Sequence, residues 1–199
     1  MQMRAQVAVV VVAIALATSG CATDADPTDD ATSQPPVTAT PTPTLSPTPS
    51  PTVDVTVPPV RPEAMATPSA DGAAAAASYF ISLYPYVYST GDLSEWRSIA
   101  DPSCEFCGKV AEEVDDLHTR GHSVISPLHV VSSSGIELEA ARWYSAEAII
   151  EIAESSEIDR NGQVLSTDGA GRYRTTYSLT WDDGWRVDAV GLEPATPAS

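Results

Sequence analysis

Apolar and polar positions divide this chain of 199 residues into three unequal parts. Ala5 to Ala17 is an apolar run of 13 positions behind a short charged start, Met1 to Arg4. At about 1.5 Å per residue it spans about 20 Å as a helix, short of the ~30 Å of a bilayer core. Residues 22–62 carry no hydrophobic periodicity. From about Glu63 onward, periodic patterning of a folded domain begins, first with the helical repeat and then with the two-residue repeat of strands.

The helical part reads as three elements. Ala73 to Ala77 favours helix strongly, and Phe80, Leu83, Tyr84 and Val87 follow at helical spacing. Ser69 or Asp71 is the expected N-cap and Gly91 the expected stop, with a kink or break near Ile81–Pro85 because Pro85 lacks an N–H. Asp92-Leu93-Ser94-Glu95 has capping-box spacing and opens a short helix through Trp96 and Ile99. Asp101-Pro102 is expected to start the third helix, with Pro102 in its first position. Cys104, Cys107, Val110, Val114 and Leu117 form its apolar stripe, and Glu112, Glu113, Asp115 and Asp116 point away from that stripe.

The remainder reads as strands. Tyr144, Ala146, Ala148, Ile150 and Ile152 alternate with polar positions, and Asn161-Gly162 is a hairpin signal. Tyr173, Tyr177, Leu179 and Trp181 share one face of a later strand. After Asp182-Asp183-Gly184 the chain returns with Trp185, Val187 and Ala189. Pairing Trp181 with Trp185 sets Leu179 opposite Val187 and Tyr177 opposite Ala189, unless a bulge at Gly184 shifts the register. A weaker strand is expected within Val124–Ser132, interrupted by Pro127. Helices followed by antiparallel strands give an α+β fold, N-terminal helices on a curved antiparallel sheet, as one domain over residues 63–195 with a tail at 196–199.

The apolar run ends in Ala17-Thr18-Ser19-Gly20-Cys21. Small residues followed by cysteine describe a lipoprotein signal peptide over residues 1–20, cut so that Cys21 becomes an acylated N-terminus. Residues 21–62 then form a lipidated Pro/Thr/Ser-rich linker, expected to be disordered. Its Pro-Thr alternation excludes helix and would span roughly 100 Å if mostly extended. The expected location is the extracytoplasmic face of a cell membrane, where two or more acyl chains anchor stably.

Charge narrows the partners. The chain carries 27 acids against 10 bases, net −17. An acidic surface disfavours nucleic acid and leaves membrane attachment to the lipid. Arg outnumbers Lys, and Ala, Thr and Pro are abundant, a bias that suggests a GC-rich genome such as that of an actinobacterium. Assigning Cys21 to the lipid leaves Cys104 and Cys107 as an even pair in an oxidising compartment.

Three helices, a sheet and a closing Trp181-Asp182-Asp183-Gly184-Trp185-Arg186-Val187 hairpin resemble the cone-shaped nuclear-transport-factor-2-like fold over about residues 70–192. With the lipidated cysteine and tether, Pro62-Glu63-Ala64, Tyr88-Ser89-Thr90-Gly91-Asp92 and Asp101-Pro102-Ser103-Cys104-Glu105-Phe106-Cys107 resemble an uncharacterised actinobacterial lipoprotein family, domain of unknown function 6318. That resemblance implies a location and a fold but no activity.

Four sets of residues are candidates for chemistry. Cys104 and Cys107 at a helix start have the placement of a redox pair, but they lie on the apolar stripe, so a structural disulfide is expected over thiol–disulfide exchange. His118 and His122 are four apart, as zinc ligands on a helix would be. Gly121 ends the helix between them and no third ligand follows, His129 included, so no metal is expected. Within a cone pocket, Tyr144, Tyr177, His118 and Asp188 are the first residues to inspect for proton transfer. The apolar sheet face holds no carboxylate, however, and Asp188 alternates away from it. The acidic run from Glu112 to Asp116 reads as surface, with Lys109–Glu113 and Asp116–Arg120 as helix pairs. No catalytic residue and no cofactor are expected. The favoured function is a non-catalytic module binding a small apolar ligand or an envelope protein, with a cone-fold enzyme as the alternative.

Overall fold

The computed structural model describes residues 54–195. The expected signal peptide, Cys21, the expected linker up to residue 53 and the tail from residue 196 lie outside the described residues. A short 3-10 turn at Glu63–Ala66 leads into α1 (Ala70–Thr90), α2 (Ser94–Ile99) and α3 (Glu105–Thr119). Seven strands follow: β1 (Ser123–Ile125), β2 (Leu128–Glu139), β3 (Trp143–Ile152), β4 (Ser155–Ile158), β5 (Val164–Asp168), β6 (Gly171–Trp181) and β7 (Trp185–Pro194). They form an antiparallel four-stranded sheet in the order β2-β3-β6-β7 and a small sheet in the order β1-β4-β5. The α+β class is as the periodicities indicate.

Helix α1 lies on β2 and β3 and supplies the largest share of the core. Ser69 is its N-cap, accepting from the Gly72 N–H at 3.0 Å, and Gly91 closes it in the left-handed conformation at φ 76°. Of the kink or break expected near Ile81–Pro85, the break does not occur: the helix is continuous, and the proline ring is buried. One lost backbone hydrogen bond is outweighed by an apolar face running from Ala73 to Val87. Phe80 stacks on Trp96 of α2 at 4.1 Å, and the Trp96 indole N–H donates to the Cys107 carbonyl at 3.1 Å. The helices are thus joined through one buried tryptophan.

Helix α3 begins later than Asp101-Pro102 implies. Asp101 Oδ1 takes the Ser103 N–H in a separate turn, and the helix starts at Glu105 with Cys104 as its cap. At α2 the expected capping box does not form, since Leu93 is the N-cap and makes no side-chain capping bond. Asp92 accepts from the Ser94 N–H, while Glu95 turns outward to Arg61 and the Tyr79 hydroxyl. The stripe Cys104, Cys107, Val110, Val114 and Leu117 is buried as the spacing requires.

In the main sheet Trp181 faces Trp185 and Leu179 faces Val187, but Tyr177 faces Val190 rather than Ala189. The extra residue is Asp188 and not Gly184, and the left-handed turn position falls on Asp183 at φ 52°. Asp188 accepts from the Thr180 hydroxyl at 2.7 Å, which holds the bulged segment to the neighbouring strand. Upstream, β1 and β2 flank Ser126-Pro127, so the interruption at Pro127 is real. Strand β2 runs well past Ser132 because Ser132-Ser133-Ser134-Gly135 pairs with β3 despite its weak strand preference. Residues before Glu63 also pack on the domain: Val55 is buried, and its carbonyl accepts from the Ser89 hydroxyl at 2.8 Å. Among the described residues no helix is long and apolar enough to cross a membrane.

Candidate apolar cavity and its polar edge

Between α1, α3 and the main sheet lies a cavity of about 180 Å³. Helical spacing places its first wall: Ile81, Tyr84 and Tyr88 follow one another on one face of α1. The second wall comes from α3, where Phe106, Val110 and Glu113 recur at three- and four-residue steps, with Lys109 beside them. Leu128 of β2, Ile150 and Ile152 of β3 and Leu192 of β7 form the sheet side. Leu192, half exposed, stands at the rim.

The polar groups collect on one side. Tyr84 and Tyr88 pack with ring centroids 4.5 Å apart, and the Tyr88 hydroxyl donates to Glu113 Oε2 at 2.7 Å. Burial, followed by the Tyr84 hydroxyl and the Glu113 carboxylate, pushes the Tyr88 phenol far above the ordinary tyrosine range. Burial likewise raises Tyr84. Both are neutral hydroxyls at physiological pH, suited to hydrogen bonding and not to acting as bases. Lys109 does not pair with Glu113 as the sequence suggested; its ammonium group reaches Glu105 at 2.6 Å, one turn back. The Asp116–Arg120 pair does form, at 3.2 Å.

The residues chosen from sequence for a cone pocket do not meet there. Tyr144 is buried edge-on against Trp185, its hydroxyl 3.1 Å from Glu137 Oε1. Tyr177 is buried in the core, with no hydrogen-bond partner for its hydroxyl. His118 packs against Gly91 with Nε2 3.1 Å from the Tyr88 carbonyl, and Asp188 sits in the β7 bulge. The histidines also part company: His122 Nδ1 is 2.7 Å from Glu157 Oε1, and His129 is exposed. Among the described residues no three His, Cys, Asp or Glu groups converge on one point.

Cys104 and Cys107 stand at disulfide distance with their Cα atoms 5.2 Å apart. Each is only 2% exposed, which closes them to a second disulfide. A more open depression of about 260 Å³ beside Cys107, bounded by Trp96, Arg97 and Pro102, leaves the sulfurs covered.

Sequence reading missed Glu113 and the Tyr84/Tyr88 pair as cavity residues. The signal was present as two helical faces, Tyr84/Tyr88 and Phe106/Val110/Glu113, each at i,i+3 or i,i+4 spacing. Only the packing of α1 against α3 brings them together.

A model described as a family of unknown function, DUF6318, matches residues 49–190. Among curated proteins nothing matches. Three similar solved structures share 11–16% identity with this chain. The intermembrane space region of the chloroplast protein ARC6 is 14% identical with a TM-score of 0.49, covering 64% of this chain and 98% of its own. An uncharacterised protein with a cystatin-like fold from Caulobacter vibrioides is 11% identical with a TM-score of 0.42, covering 63% and 92%. A nuclear transport factor 2 (NTF2-like) superfamily protein from Salmonella enterica is 16% identical with a TM-score of 0.42, covering 61% and 91%.

Proposed function

This chain belongs to the family of unknown function DUF6318, and on that premise we propose that its domain is a binding module for a small, largely apolar molecule. The single observation behind this reading is the cavity between α1, α3 and the sheet, apolar on most sides with hydroxyl and carboxylate groups confined to one edge. Apolar walls with a few convergent polar groups are the ordinary composition of a small-molecule site. The volume sets the scale. A dry cavity of ~150 Å³ accepts benzene, so about 180 Å³ suits one ring or a short branched chain. Catalysis is not part of the proposal, because the lining pairs no nucleophile with a base: Tyr88 donates to Glu113 and both tyrosines are held neutral.

The proposal extends to location. Cleavage before Cys21 and its acylation place the module outside the membrane on a Pro/Thr tether. Incorporation of labelled fatty acid by the wild-type chain and its loss in Cys21→Ala is the expected result; unchanged labelling of the variant removes the anchor. For the cavity, isothermal calorimetry with a single-ring hydrocarbon is expected to show saturable binding that Leu128→Trp abolishes by filling the space. Binding that survives an otherwise stable Leu128→Trp protein would put the ligand elsewhere.

A further inference from the structure

Resting on that reading of the cavity, we propose that its ligand is an organic monocation, a small amine whose apolar body lies against Ile81, Ile150 and Ile152 and whose ammonium group meets Glu113. Four observations carry this. Glu113 spends one carboxylate oxygen, Oε2, on the Tyr88 hydroxyl, and its Oε1 makes no hydrogen bond among the described residues. The one base in the lining, Lys109, reaches out to the exposed Glu105, and among the described residues no cation pairs with Glu113. The packed Tyr84 and Tyr88 rings bring aromatic surface beside that carboxylate, and such faces attract ammonium groups. Finally, the chain's net charge of −17 concentrates cations near its surface and repels carboxylates.

Each alternative charge state fits less well. A carboxylate ligand would bring a second negative charge to Glu113 and would have to draw Lys109 away from Glu105. A neutral ring fills the apolar walls but leaves Glu113 Oε1 to water. A primary amine satisfies both halves: its N–H groups donate to the free oxygen while the ring occupies the cavity.

Benzylamine, toluene and benzoate are one test set, of nearly equal size and differing in charge. Titrations use the full chain in phosphatidylcholine nanodiscs, with empty discs as the blank. Benzylamine is expected to bind about tenfold more tightly than toluene, the scale of one ion–aromatic and one charge-assisted contact, and benzoate not at all. Glu113→Gln keeps an oxygen for the Tyr88 hydroxyl and is expected to erase the preference for amine while toluene binding persists. Glu112→Gln, one position away and exposed like Glu113 but outside the lining, is expected to leave the preference intact. Saturable toluene binding equal to that of benzylamine overturns the cation inference and leaves the apolar site standing. Failure of all three probes overturns the cavity reading itself. An equal loss of preference in Glu112→Gln would assign it to the general acidic field and not to Glu113.

Discussion

Tyr177 offers the sharpest test of how the core is put together. Its hydroxyl is the one buried side-chain polar atom without a hydrogen-bond partner among the described residues. The ring is 3% exposed on the inner face of β6, opposite Ala146 and Val190. An unpaired buried hydroxyl costs about 1–3 kcal/mol, and Tyr177→Phe removes the oxygen while keeping the ring. The variant is therefore expected to be more stable than the wild type by about 1 kcal/mol, at the low end because the vacated space loses some contacts. Protonation supplies a second, independent reading. Burial raises the Tyr177 phenol above its ordinary value, so above about pH 10 the unfolded chain gives up a proton that the folded chain retains. Stability from this group is complete below about pH 10 and falls as pH rises toward the folded value, by up to ~1.4 kcal/mol per unit. Phenylalanine has no such proton, and the advantage of the variant should widen with alkalinity. Urea unfolding of both proteins at about pH 7 and about pH 11, followed by tryptophan fluorescence, gives the difference directly. Loss of 1 kcal/mol or more in Tyr177→Phe at neutral pH, or an unchanged difference at high pH, would refute the reasoning.

Other expectations follow from single contacts. Reducing the Cys104–Cys107 bond should lower stability by about 2 kcal/mol, the loop-closure entropy of so short a ring. Differential alkylation should find both sulfurs protected at about −270 mV, and ready reduction there would contradict their burial. Ser69→Ala should cost about 1 kcal/mol through the lost α1 cap, and Ser69→Gly only a few tenths, measured by denaturant midpoint at constant slope. Gly135→Ala should cost about 1–3 kcal/mol, since a Cβ there runs into the Ala70 backbone carbonyl where β2 passes beneath α1. A neutral Gly135→Ala would mean that this close approach relaxes without strain.

The parts of the fold legible in the sequence were those where one residue's role is decided by near neighbours. Ser69 and Gly91 bound α1, and the alternation in Tyr144–Ile152 and Tyr173–Trp181 sets the buried sheet face. What was not legible depended on distant packing. Pro85 predicts a kink or a break, and of the two the break is excluded, because the tertiary burial around it keeps the helix continuous. The Ser-rich β2 segment has little strand preference of its own and becomes a strand because β3 offers it hydrogen bonds. The Asp188 bulge leaves no sequence mark, because Asp188 looks like any outward residue on an alternating strand. The cavity was hidden for the same reason. Tyr84 reads as helix stripe and Glu113 as solvated face, and only the approach of α1 to α3 turns them into neighbours. Tyr144 and Tyr177 looked like candidates because they are polar aromatics on the inner face, but that face is packed solid around them.

The central claim is that the space between α1, α3 and the sheet accepts a small apolar group. Methyl-resolved NMR of the full chain during titration with benzylamine and toluene tests it most directly. Saturable shifts are predicted at the Ile81, Val110, Leu128, Ile150 and Ile152 methyls, with the exposed Ile136, Leu138 and Val164 methyls unmoved. Shifts that never saturate, or that are largest at the exposed set, would contradict the claim.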